Sequence, residues 1–74
     1  MNEIIVGGIY RHFKSPTNRY KIIGIAKNSV DLSDMVIYEA QYENPLAKLW
    51  ARPIDDFTSE VMFEGKKIKR FEKI

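Results

Sequence analysis

Short runs of alternating apolar and polar residues, each ended by turn-forming residues, constrain the fold of this chain more than any other feature. Five or six such runs follow one another at intervals of about eight to twelve residues. This spacing is typical of small β-proteins whose short strands curl around one core. The sequence therefore predicts a mainly all-β fold, a small SH3-like barrel of five or six short strands with at most one short helical turn. An OB-like barrel is the alternative.

The predicted strands are separated by clear turn signals. They cover residues 9–13, 19–27, 35–42 and 48–52, followed by a hairpin from 60–63 to 66–71. Residues 14–18 predict a turn, residues 28–34 a loop, and Gly24 a bulge inside the second strand. Asp55 or Asp56 is predicted to cap a helical turn around Phe57.

The length of 74 residues predicts one domain, residues 1–74, with residues 1–7 as a loosely held N-terminal arm. The chain has no cysteine, which excludes disulfides and thiolate metal sites. Its first residues lack the basic flank and the length of a signal peptide. No apolar run approaches the roughly 20 residues that span a bilayer. We expect a cytoplasmic protein with no membrane association.

Charge is distributed unevenly along the chain. The net charge is +4 over residues 1–30, −6 over residues 31–64 and +4 over residues 65–74. If the two terminal segments lie side by side, they form a basic strip that attracts phosphate groups. The alternative is a set of solvated faces and internal ion pairs.

Alternation also predicts which side chains share a face. In the first strand Ile9, Arg11 and Phe13 lie on one side, with Tyr10 and His12 on the other. In the third strand the predicted core face consists of Val36, Tyr38, Ala40 and Tyr42. In the fourth strand alternation places Trp50 and Arg52 on the same face. The four phenylalanines, Phe13, Phe57, Phe63 and Phe71, are predicted to form the core.

Several kinds of chemistry find little support in the sequence. One histidine and no cysteine make a zinc site improbable, and the acidic residues match no ion-binding loop. Gly7 and Gly8 precede a strand and not a helix, so they form no nucleotide-binding fingerprint. No hydroxyl lies in a nucleophile motif. We predict no catalytic residue, no metal and no cofactor.

Interleaved aromatic and basic residues are the stronger signal. Tyrosine and tryptophan rings stack on bases, whereas arginines hold phosphate or carboxylate groups. The predicted ligand-binding residues are Tyr10, Arg11, His12, Tyr38, Trp50, Arg52 and Arg70, and Tyr42 is a further ring that can stack. Arg52 has a second interpretation, in which it pins the strand end by bonding to backbone carbonyls or to an acid such as Asp56.

The order of landmarks resembles that of a bacterial family of short domains of unknown function. The landmarks are Gly8-x-Tyr10-Arg11-His12-Phe13-Lys14, Tyr20 with Gly24-Ile25-Ala26, Met35-Val36-Ile37-Tyr38 with Tyr42, Trp50-x-Arg52-Pro53, Phe57, and Arg70-Phe71. The resemblance covers nearly the whole chain and implies a compact bacterial domain with no established activity. Ser15-Pro16 stands where the family often has glycine, and Asn28 where it often has histidine. The second departure weakens a two-histidine site.

Three functions follow as hypotheses. The first is a noncatalytic binding module for an anionic ligand, with nucleic acid or a nucleotide favoured over an acidic peptide. The second is a protein-interaction or oligomerisation module, in which case a protein partner or a second copy occupies the surface. The third is a small enzyme that uses His12 as acid or base. The sequence leaves the oligomeric state open.

Overall fold

The computed structural model describes residues 4–74, and these confirm the mainly all-β prediction. Seven strands and one short helix follow in the order β1 Ile9–His12, β2 Ser15–Lys27, β3 Asp34–Ala40, β4 Leu49–Pro53, α1 Ile54–Phe57, β5 Glu60–Phe63, β6 Lys66–Lys69 and β7 Phe71–Lys73. Over this part of the chain, no helix has the length and apolar character needed to cross a membrane.

The strands form two antiparallel sheets. The larger has five strands in the order β4-β3-β2-β1-β7, and β5 pairs with β6 in the smaller. Within residues 4–74 the edge strands β4 and β7 do not pair, so the fold is barrel-like without a closed hydrogen-bonded barrel. Because β7 pairs with β1, the two basic terminal segments do lie side by side.

The first hairpin differs from the prediction. The turn lies at Phe13 and Lys14, and β2 already begins at Ser15, where residues 14–18 were predicted to be a turn. The β1–β2 register pairs His12 with Ser15 but Arg11 with Arg19, so residues 16–18 bulge out of the ladder. A proline at position 16 has no N–H to donate to that ladder. Of the residues predicted to form the turn, 16–18 form a bulge, and the turn itself is shorter and lies at residues 13 and 14.

The last predicted strand is two strands that belong to different sheets. The chain bends at Arg70, whose N–H donates to the carbonyl of Ser59 and whose carbonyl accepts from the Phe13 N–H. These bonds tie Arg70 to segments on either side of the bend, and β6 therefore pairs with β5 while β7 pairs with β1. The predicted Gly24 bulge is confirmed by a register shift between Ile22 and Gly24.

The core lies on the face that alternation predicted for β3 but not on the predicted face of β1. Its buried cluster consists of Tyr10, Ile22, Val36, Tyr38, Phe57 and Phe71. Phe57 and Phe71 stack with ring centroids 4.1 Å apart, which confirms two of the four predicted phenylalanines. The prediction is wrong for Phe63, which is 42% exposed, and for Phe13, which is only half-buried. Phe13 follows β1 into the turn and packs against Phe63 of the smaller sheet.

Helix α1 and Ile4 both contribute to the packing of the core. The helix starts after Pro53 with no side-chain cap, so the predicted aspartate cap is wrong, and Asp56 instead bonds to Arg52. Residues 1–3 of the predicted N-terminal arm lie outside the described residues. Farther along this segment, Ile4 packs against the core, and the Gly7 N–H donates to the Ile22 carbonyl at 2.8 Å.

Candidate functional site

One open cleft of about 320 Å³ lies on the core side of the large sheet. Its lining consists of His12, Lys14, Ser15, Tyr20, Tyr38, Tyr42, Asn44, Trp50, Arg52 and Phe71. The strand register explains the grouping, since Tyr38 lies opposite Trp50 and His12 lies opposite Phe71. Cross-strand neighbours point to the same side of a sheet, and all five strands of the larger sheet contribute to this surface.

Four of the seven predicted ligand-binding residues meet in this cleft, namely His12, Tyr38, Trp50 and Arg52. Tyr10 does not, because its ring is buried against Phe57 and its hydroxyl accepts the Ile5 N–H. Arg11 points elsewhere and forms an ion pair with Glu72. Arg70 lies nearby without lining the cleft, and its Nε donates to the Ser59 hydroxyl at 2.9 Å.

Lys14, Tyr20 and Asn44 line the cleft but were not among the predicted ligand-binding residues. Tyr20 carried a usable signal, because it is two residues before the buried Ile22 on the same face of β2. Lys14 and Asn44 lie outside the strands, where alternation gives no information. Their positions depend on how the loops return to the sheet.

A chain of hydrogen bonds joins Asn44, Tyr42 and Tyr20. The Asn44 amide oxygen accepts the Leu46 N–H, which turns the amide nitrogen toward the Tyr42 hydroxyl at 3.1 Å. The hydroxyls of Tyr42 and Tyr20 lie 2.8 Å apart, and one of them donates a hydrogen bond to the other. Two hydroxyls bring two protons, so one O–H remains to donate to a ligand. Burial and the bond to Tyr42 raise the pKa of Tyr20, which keeps that proton in place.

Two arginines share one carboxylate beside the cleft. Arg52 donates from Nη1 to Asp56 at 2.7 Å, which confirms the interpretation that it pins the strand end to this acid. The guanidinium also lies over the ring of Phe71, 5.2 Å from its centre. Arg70 Nε lies 3.7 Å from the other oxygen of Asp56. With Lys14 in the lining, three cations and one anion act on His12, which is a local excess of positive charge at this edge of the cleft.

His12 is held in one tautomer at the edge of the cleft. Its Nδ1 accepts the Lys14 N–H at 3.1 Å, so the proton of the neutral ring is on Nε2. Burial lowers the pKa of His12, and the positive charges of Arg52, Arg70 and Lys14 lower it further, against a smaller opposite effect of Asp56. The neutral ring offers Nε2–H as a hydrogen-bond donor.

The lowered pKa of His12 predicts a pH-dependent stability. The unfolded chain takes up this proton at a higher pH than the folded one, so stability falls as the pH decreases through the window just below 6.5. We expect urea denaturation to show that lowering the pH reduces the free energy of unfolding less in His12→Asn than in the unsubstituted protein. Asparagine does not titrate, and its side chain can still accept the N–H of the residue two positions ahead. Equal losses of stability in both proteins would show that His12 is not the source of the pH dependence. A histidine pKa at or above 6.5 in an NMR titration would do so too.

A comparison with protein families places the chain in one of them. Residues 8–73 match the family described as "Protein of unknown function (DUF1653)". The chain belongs to the DUF1653 family. A crystal structure of a DUF1653 protein from Bordetella bronchiseptica is similar in fold, with a TM-score of 0.83 and 21% sequence identity over 95% of this chain and 87% of that one. A comparison with curated proteins finds no match.

The whole cleft lies inside the part of the chain that matches DUF1653. In residues 4–74, no group of three or more histidine, cysteine, aspartate or glutamate side chains is arranged to hold a metal ion. The residues that line the cleft supply aromatic rings, hydrogen-bond donors and positive charge.

Proposed function

We propose that this DUF1653 domain is a noncatalytic binding module for an anionic ligand that carries a ring, with nucleic acid or a nucleotide as the favoured class. One observation carries the proposal. A single cleft brings Trp50 and three tyrosines together with Arg52, Lys14 and the Nε2–H of His12, and among residues 4–74 no acidic side chain lines it. A ligand that fits must supply acceptors and negative charge.

The aromatic side chains suit a flat ring. Trp50 donates its Nε1–H to the Ala47 carbonyl at 3.1 Å, which fixes the orientation of the indole and leaves recognition to its apolar surface. Tyr20 and Tyr38 pack edge to face at 5.4 Å and form a rigid wall of the cleft. Stacking of a base on an aromatic side chain contributes about 1–3 kcal/mol. Ligand sites measure about 300–1,000 Å³, so a cleft of this volume accommodates one small ring-bearing unit.

The donors suit phosphate. The Arg52 guanidinium is bound to Asp56 through one nitrogen, and the five N–H groups of an arginine leave others for a ligand. Lys14 and the remaining tyrosine O–H add to them. Charge-assisted hydrogen bonds of this kind are about twice as strong as neutral ones.

A salt titration tests this proposal. We expect the protein to bind mixed-sequence single-stranded oligonucleotides at low salt. About three phosphate contacts give a slope near −2 in log affinity against log salt, so affinity falls roughly tenfold or more between about 50 and 200 mM. Fluorescence anisotropy measures it. Absence of binding at low salt, or affinity that does not change with salt, would contradict the nucleic-acid form of the proposal.

A protein-interaction or oligomerisation module is the second candidate, and the 28–33 loop favours it. Val30 is 91% exposed and Leu32 69% exposed, on a loop in which the side chains of Asn28 and Asp31 accept backbone N–H bonds. Leu32 has φ of 63°, which is unusual for a branched side chain. Analytical ultracentrifugation distinguishes the candidates. A concentration-dependent oligomer that Leu32→Asn dissociates supports the second, whereas a monomer throughout argues against oligomerisation.

A further inference from the structure

A second cleft, also of about 320 Å³, adjoins the first. It is lined by Arg11, His12, Phe13, Pro16, Phe63, Ile68, Lys69 and Glu72. His12 lines both clefts, so the two adjoin at this residue. The second cleft lies between the β1–β2 hairpin and the smaller sheet, and the contact of Phe13 with Phe63 lies within it.

We propose that the two clefts form one groove for a single-stranded nucleic acid, with one nucleotide in the first cleft and the next nucleotide in the second. This inference rests on the proposed function and narrows it from any ring-bearing anion to a polymer of at least two units. Proteins that bind single strands combine a positively charged groove with aromatic side chains on which successive bases stack. The second cleft also combines aromatic rings with cations, although its lining includes the acid Glu72.

Phe63 is the stacking side chain of the second cleft. It is 42% exposed, although phenylalanine is usually buried, and it packs edge to face against Phe13 with centroids 5.7 Å apart. Phe13 in turn lies 4.8 Å from the His12 ring. A row of rings, Phe63, Phe13 and His12, therefore leads from the second cleft into the first.

Positive charge follows the same path. Lys69 lines the second cleft on β6, a strand whose other residues include Lys66 and Lys67. Arg11 lines it too, but its ion pair with Glu72 offsets its charge locally. Lys14 lies over the ring of Phe13, 5.9 Å from its centre, and lines the first cleft. A phosphate that links two nucleotides at the meeting point is flanked by Lys14 and Lys69. A free mononucleotide contacts only one cleft.

Calorimetric titration with unlabelled ligands of increasing length tests the inference. The probes are the four 5′-mononucleotides and random-sequence dinucleotides, tetranucleotides and octanucleotides, as RNA and as DNA. We expect affinity to rise at least tenfold from mononucleotide to tetranucleotide. Phe63→Ala is expected to lower tetranucleotide affinity about five- to hundredfold, as the loss of one stacked base does, and to leave mononucleotide affinity unchanged. Met62→Ala is the matched control, since Met62 is 69% exposed on the same strand and lines neither cleft.

The outcomes separate this inference from the proposed function. Mononucleotides that bind as tightly as tetranucleotides, with no effect of Phe63→Ala, overturn the polymer groove and leave the binding module intact. If tetranucleotides bind more tightly than mononucleotides but Phe63→Ala does not change this preference, the second cleft is not the site of the next base. The cleft is then assigned to another occupant, such as a protein. No binding by any probe at low salt overturns both. Circular dichroism serves as the control that the Phe63→Ala variant is folded.

Discussion

Replacing Phe57 with alanine is expected to remove a large part of the protein's free energy of unfolding. The side chain is 1% exposed and stacks on Phe71 while contacting the rings of Tyr10 and Tyr38. Removing a buried phenylalanine costs about 3–5 kcal/mol. A natural domain has about 0.05–0.15 kcal/mol of stability per residue, so one of this length is expected to have only about 4–11 kcal/mol. Urea denaturation followed by circular dichroism measures the loss.

Phe63→Ala is the matched control for that experiment. The same atoms are removed from a side chain that is 42% exposed and lies outside the core cluster. We expect a loss of about 1 kcal/mol or less, in line with surface substitutions. Equal losses at Phe57 and Phe63 would contradict the assignment of the core, because the smaller sheet would then be as important to stability as the stacked pair.

Arg52→Gln is expected to cause the largest loss of ligand affinity. Its guanidinium lines the first cleft, and its positive charge is only partly offset by Asp56, which Arg70 also approaches. Hydrogen bonds to a charged group contribute about 1.5–3 kcal/mol, so affinity for a single-stranded tetranucleotide should fall about ten- to hundredfold. The cost in stability should be about 1 kcal/mol or less, since the ion pair with Asp56 is partly exposed. Calorimetry and urea denaturation measure the two effects separately.

Arg19→Gln provides the control for charge. It removes the same charge from an arginine that lines neither cleft and donates to the Pro16 carbonyl. We expect less than a threefold change in affinity, because salt largely screens an exposed charge that does not contact the ligand. If both variants lose affinity equally, binding depends on net charge alone and the first cleft is not the site.

The sequence was informative wherever a strand is covered on one face. Alternation predicted that Val36, Tyr38, Ala40 and Tyr42 share the core face of the third strand. The first three are buried, whereas Tyr42 lies beyond the end of β3 and is only half-buried. Alternation also placed Trp50 with Arg52, and both line the first cleft. In a strand, successive side chains point to opposite faces, so this information is local and can be read without the rest of the fold.

Alternation did not distinguish core residues from cleft residues on the same face. Tyr10 and His12 point to the same side of β1, yet Tyr10 is buried against Phe57 and His12 lies at the cleft. The difference depends on where helix α1 covers the sheet, which is decided by packing between segments far apart in the chain. For the same reason Phe13 and Phe63, both apolar, were wrongly predicted to be core.

By itself, the sequence determined β3 and β4 to within about two residues, the inner face of β3, and the grouping of Trp50 with Arg52 on β4. Only the tertiary structure decided that β7 returns to pair with β1, which brings Phe71 beside His12 across 58 intervening residues. Pairing between distant strands depends on the total packing of the chain and not on any local pattern. That pairing, together with the bend at Arg70, creates the meeting point of the two clefts at His12.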